Sequence, residues 1–325
     1  MTLTLVRKLL RDVRWPLLVV SLLLFFFSLL WVKIAQRVTT EIAPFFNGLA
    51  AVSKINPKLF DEVIFKGPGK VSQSVLGGAD VQFEKPTDFL AVELLHPVVL
   101  MLTGIWAIGR AGGAVAGELD RGTMELLLSQ PVPRNRLIFA HLIIDAIVIP
   151  IICLSILAGT RAGLAMVGPF TVDYSILEKL PKMPGGMVLP KGPDELPVDA
   201  AGQPWAILNL AALMFALSGL TLAISSANRN RWRAVGFAVL VAMSMFIINV
   251  LGQLWDAVAP LRPASVFYYY TPQRIWLKND WLANLGESWP GAPGVPLLAV
   301  LFAVGAIGYL VALRIFTRRD LPAPL

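Results

Sequence analysis

Charge is scarce in this sequence, and cysteine and histidine are scarcer still. Only 15% of the 325 residues are charged, where a soluble domain keeps roughly a quarter. The single cysteine, Cys153, excludes a disulfide, a thiolate metal cluster or a CxxC pair within the chain. Neither of the two histidines, His96 and His141, belongs to an HExxH motif, so a zinc protease lacks its ligands. The string Gly67-Pro68-Gly69-Lys70 lacks the earlier glycine and the following Ser/Thr of a nucleotide-binding phosphate loop. No G-x-S-x-G nominates a nucleophilic serine. The net charge of +7 is not gathered into a basic domain, which argues against nucleic acid as a partner. An enzyme with its own catalytic centre is therefore not what this sequence describes.

Long apolar runs are what it does have. Hydrophobic residues make up 56% of the chain and the mean hydropathy is +0.68. A hydrocarbon core of about 30 Å needs roughly 20 apolar helical residues to cross it. Six stretches meet that demand, at residues 15–34, 92–112, 137–158, 205–227, 234–255 and 295–316. They are continuous and leucine-rich, unlike the alternating segments of a barrel, so they must be helices. The first is no signal peptide, because its core is too long and Trp31-Val32-Lys33 stands where a small-x-small cleavage site belongs.

Arginine sets the orientation. The segments on the amino-terminal side of six spans carry 14 positive charges against five negative, and the other side carries 13 against 15 over a much greater length. Because cytoplasmic loops hold the Lys/Arg excess, both termini are expected in the cytosol of a cell (inner) membrane protein. Leu3, Val6, Leu9, Leu10 and Val13 share a helical face with Arg7, Lys8 and Arg11 opposite. That pattern fits an interfacial helix over residues 1–14 lying on membrane lipid, with a frayed cytosolic lead-in as the alternative. The connections at 37–91, 159–204 and 256–294 fall outside. They are expected to pack as a small cap over the spans.

Several polar residues fall inside or beside the spans: His141 and Asp145 one turn apart on the third, Asn209 in the fourth, and Asn249 and Gln253 on one face of the fifth. Buried ionisable groups are functional candidates because their burial is expensive. The alternative is that they hydrogen-bond neighbouring helices and hold the bundle together.

The cytoplasmic loop at 113–136 differs from the rest. Gly122 should break the helix leaving the second span, Thr123 is a good N-cap for a new one, and Glu125 suits its positive end. Pro131 should stop that helix after about seven residues, or roughly 10 Å. Met124, Leu126, Leu127 and Leu128 cover it with apolar surface, which should dock on lipid or on a partner protein.

This loop closely resembles that of ABC-2-type permeases, the membrane subunits of a class of ATP-binding-cassette transporters, typified by E-x-x-x-G-T-x-E-x-L-L-x-x-P-x-x-R. Glu118, Gly122, Thr123, Glu125, Leu126, Leu127, Pro131 and Arg134 carry the likeness, which implies that they and Leu128 couple to an ATPase. The subgroup containing the nitrous-oxide-reductase maturation permease looks nearest. A weaker echo follows the fifth span, where Pro260-Leu261-Arg262-Pro263 precedes Tyr268-Tyr269-Tyr270-Thr271-Pro272. One position departs: the family often has a lysine where this chain has His141.

The resemblance implies one all-α transmembrane domain over residues 1–325, with six spans and a short cytoplasmic coupling helix between the second and third. It implies an export permease with no ATPase site of its own; ATP and magnesium would sit on a partner. The partners implied are two copies of a cytosolic ABC ATPase and a second permease, identical or related. Arg229, Arg231 and Arg233 would make a second ATPase contact, or serve only as positive-inside anchors. The competing functions are a membrane scaffold whose ATPase does mechanical or assembly work without passing a substrate, and a carrier or intramembrane enzyme acting alone.

Overall fold

The computed structural model describes residues 2–45, 85–124, 133–175 and 193–319. The chain is mostly helical, and among the described residues six helices are long and apolar enough to cross a membrane. They are α1 (Thr2–Arg37), the pair α2 (Pro86–Ala91) and α3 (Pro97–Ala114), α5 (Arg134–Val167), α6 (Gln203–Ala227), α7 (Arg231–Leu254) and α9 (Leu297–Arg318). Short α4 (Ala116–Asp120) follows α3, and α8 (Pro272–Lys278) lies between α7 and α9.

Two of these helices differ from the sequence expectation. The segment expected to lie in the interface is continuous with the first span among the described residues, since α1 runs unbroken from Thr2 through Arg37. At 1.5 Å per residue it is about 54 Å long, more than the hydrocarbon needs. The apolar face of its first turns has a protein partner: Val6 is buried, and Leu5, Leu9, Leu10 and Val13 pack against the core. The second span, in turn, is not one helix. Pro97 disfavours helical geometry at the preceding residue, and His96 is extended (φ −61°, ψ 135°) between a 3-10 turn at Val92–Leu95 and α3. The His96 ring then accepts a hydrogen bond from Val98 N, capping α3.

The most extensive helix contacts are α1 with α5 and α6 with α9. Both depend on glycine. Gly159 and Gly163 of α5 lie against the backbone of α1 around Phe25 and Leu29, where an added Cβ would collide. Gly219 of α6 meets Gly305 and Gly308 of α9 in the same way. Small residues let backbones approach closely where lipid provides no hydrophobic drive between helices.

At one end of the bundle a second apolar cluster joins Ala111, Met124, Leu137, Leu222 and Phe316. The other end is covered by chain from the long connections. Strand β1 (Phe170–Thr171) pairs with β2 (Glu195–Leu196), and β3 (Leu282–Asn284) with β4 (Gly294–Pro296). Tyr268, Tyr269, Tyr270 and Trp276 are buried there. Tyr270 donates from its hydroxyl to Leu94 O at 2.5 Å, tying this cover to the broken second span.

Candidate functional site

The loop after the second span is held by its neighbours before it leaves the bundle. Helix α3 ends at Ala114 and α4 starts at Ala116, so carbonyls at the end of the one and N–H groups at the start of the other need partners. Ser225 of α6 supplies one: its hydroxyl accepts from Val115 N (3.3 Å) and Ala116 N (3.0 Å) and donates to Gly112 O (2.9 Å). Helix α4 then closes at Gly122, whose φ of +69° favours glycine over any residue with a Cβ. Gly122 N donates to Leu119 O, and Arg121 N to Gly117 O.

Glu118 organises this turn. Its carboxylate accepts from Arg121 Nη2 at 2.6 Å and from the Thr123 hydroxyl. Gly122 breaks the chain, and the Thr123 hydroxyl donates back to Glu118, while the N–H groups that Thr123 was expected to cap lie outside the described residues. Met124 is 1% exposed inside the apolar cluster, so it belongs to the chain's own packing rather than to a partner-facing surface. Glu125, Leu126, Leu127, Leu128 and Pro131 lie outside the described residues.

Arg134, the last residue of the motif, makes an internal clamp. Its Nη1 donates to Arg319 O at 2.6 Å, while Arg319 Nη1 donates to Ser226 O (2.8 Å) and Asn228 O (2.9 Å). One chain of bonds thus ties the ends of α5, α6 and α9. Burial, and after it the nearby Arg229, lower the Arg319 pKa. Arg229, Arg231 and Arg233 are exposed. The Arg231 stem lies over Gly113 and Gly117, and neighbouring Asn230 donates to Asp120 Oδ1 at 3.0 Å. The link between α6 and α7 therefore packs on the described start of the loop after α3.

Deeper in the bundle the expected pair has company. Arg110 of α3 pairs with the Asp145 carboxylate and approaches His141 Nδ1 at 3.2 Å, and the Tyr309 hydroxyl of α9 donates to the same carboxylate. Asp145 is fully buried and the Arg110 side chain 8% exposed. Arg110 is thus no loop charge, although its count helped set the orientation. Its position inside the predicted span 92–112 was the available signal, since an arginine there needs a partner. Tyr309 carried no such signal.

The remaining candidates separate. Asn209 donates to Tyr269 O (3.1 Å) and accepts from Thr271 N (3.0 Å), which makes it an anchor for the covering segment. Gln253 donates to its own helix at Asn249 O (3.3 Å), and neither it nor Asn249 reaches the Arg110 cluster. Sequence reasoning missed a second buried group near the opposite end, where Thr160 donates to Glu93 Oε2 (3.2 Å) and accepts from Gln203 Nε2 (2.7 Å). Among the described residues no cluster of three or more His, Cys, Asp or Glu could hold a metal.

A family described as "ABC-2 family transporter protein" matches residues 6–321. The chain belongs to the ABC-2 transporter family. It is accordingly a multi-pass membrane permease of an ABC transporter. Permeases of this family generally work with a cytosolic ABC ATPase. Comparison with curated proteins gives no match.

Proposed function

We propose that this permease is the membrane half of an ATP-driven exporter, with both termini in the cytosol, and that residues 123–131 transmit the closure of a separate ATPase. The observation that carries this reading is the Glu118–Gly122–Thr123 turn. Stapled to α6 through Ser225 and seated by buried Met124, it provides a stiff base for the leucines that follow. A force applied to those leucines would reach α3 and α6 with little slack. Two permeases would pair over two ATPases, which bind the ATP and magnesium. Arg229, Arg231 and Arg233 would offer cations beside this contact. Membership in the subgroup of the nitrous-oxide-reductase maturation permease is part of this proposal, and would offer one comparison for an intact complex.

The test is a pull-down of the ATPase with Leu127→Asp, using variants that insert and elute normally. Burying one leucine is worth roughly 1.5–3 kcal/mol. Losing it and placing a carboxylate in an apolar groove should weaken docking at least about tenfold. Unchanged affinity with unchanged stimulation of hydrolysis would remove the coupling assignment. Substrate flux in vesicles separates an exporter from a scaffold, which would hydrolyse ATP without passing anything.

A further inference from the structure

The exposed stripe of α5 ends in a cation. Phe139, Ile143, Ile147, Ile151 and Leu154 face outward at helical spacing and are 37–59% exposed. Arg161 continues the same exposed face two turns later. It lies 27 residues beyond Arg134, about 40 Å along the helix. A bilayer is about 40–45 Å thick with its headgroups, around a core of about 30 Å. If the clamp at Arg134 marks one headgroup layer, Arg161 lies in the other. Tryptophans mark the same level: Trp205, 53% exposed at the start of α6, meets Trp281 edge-on at 5.7 Å.

Beside Arg161 is a concave site of about 330 Å³, lined chiefly by Leu164, Phe170, Leu196, Val198 and Ala200. Its outer wall is extended chain, whose side chains alternate between two faces. Leu196, Val198 and Ala200 line the cavity. Glu195 and Asp199 fall on the other register, and Asp199 Oδ1 is engaged by Ala201 N at 2.8 Å. Among the described residues Arg161 is the one charged group lining the site. Its Nη2 donates to Ala200 O at 3.0 Å, which holds the guanidinium at the rim, and among the described residues no carboxylate pairs with it.

We infer that this is a phospholipid site, with the lipid phosphate on Arg161 and an acyl chain running down the Leu154–Phe139 stripe. A cation over an apolar recess, continuous with a lipid-facing stripe and at headgroup depth, matches an amphipathic anion end to end. An arginine that merely reached for the interface would need no recess beside it.

Native mass spectrometry of the detergent-purified chain, titrated with phosphatidylglycerol or with diacylglycerol, tests this. Phosphatidylglycerol should be retained and diacylglycerol lost. Arg161→Ala should weaken retention about tenfold, the loss of one charged hydrogen-bonding partner. Arg161→Lys should keep most of it. Val198→Trp, which fills the recess and leaves the charge, should also displace the lipid, and it decides the matter if Arg161→Ala fails to fold. Equal retention of diacylglycerol, or unchanged phosphatidylglycerol binding in Val198→Trp, would overturn the assignment.

Discussion

Replacing Asp145 with leucine strands the Arg110 guanidinium inside the bundle. The aspartate is fully buried and the arginine side chain only 8% exposed. The pair lies about 16 Å along α5 from Arg134. Removing one partner of such a pair costs about 3–5 kcal/mol, because the other charge is left buried without compensation. The Tyr309 hydroxyl also loses its acceptor, which adds about 1 kcal/mol. Removing both charges is a different matter, since apolar replacements of similar volume are often neutral. Arg110→Met combined with Asp145→Leu should therefore recover to within about 1 kcal/mol of the parent. The assay is equilibrium unfolding in mixed micelles over increasing SDS, fitted across the full double-mutant cycle. Additive losses, with the double variant as unstable as the sum of the singles, would refute a desolvated ion pair. Activity of the stable double variant then separates two roles. Retained transport would make the cluster bundle glue, while lost transport with intact assembly would place it on the working pathway.

Other expectations rest on single positions. Gly219→Leu puts a side chain where Gly305 and Gly308 leave no room, and should cost about 3 kcal/mol or more, read as lost monodisperse yield on fluorescence-detected size exclusion. Gly122→Ala meets open space, so its cost is the left-handed backbone alone, about 1–2 kcal/mol. That change should lower stimulation of the partner's ATP hydrolysis more than it lowers bundle stability. Reporter fusions after residue 325 and within residues 54–85 should mark opposite sides of the membrane, and finding both on one side would cancel every loop assignment.

Much of the molecule was legible one residue at a time. Hydropathy runs locate the six helices, because crossing lipid is a demand each segment meets alone. Gly122 announces its turn for the same reason: left-handed backbone is a local property, and the φ of +69° is what a glycine before Thr123 suggested. Pro97 could have been read the same way, and the break at His96 is the signal that hydropathy averaging hides. Which polar groups meet was another matter. Sequence placed His141 beside Asp145 by helical spacing, yet the partners that complete the cluster come from α3 and α9. Their meeting depends on the rotation and depth of three helices at once, as does the clamp from Arg134 to Arg319. The recess at Arg161 belongs to the same class, since Leu196 and Val198 lie far along the chain from α5. Sequence alone determined which six segments are long and apolar enough to cross a membrane, because lipid judges each segment separately. Tertiary structure decided which buried charges are paired and which side chains gather beside Arg161, because pairing is a property of two surfaces brought together.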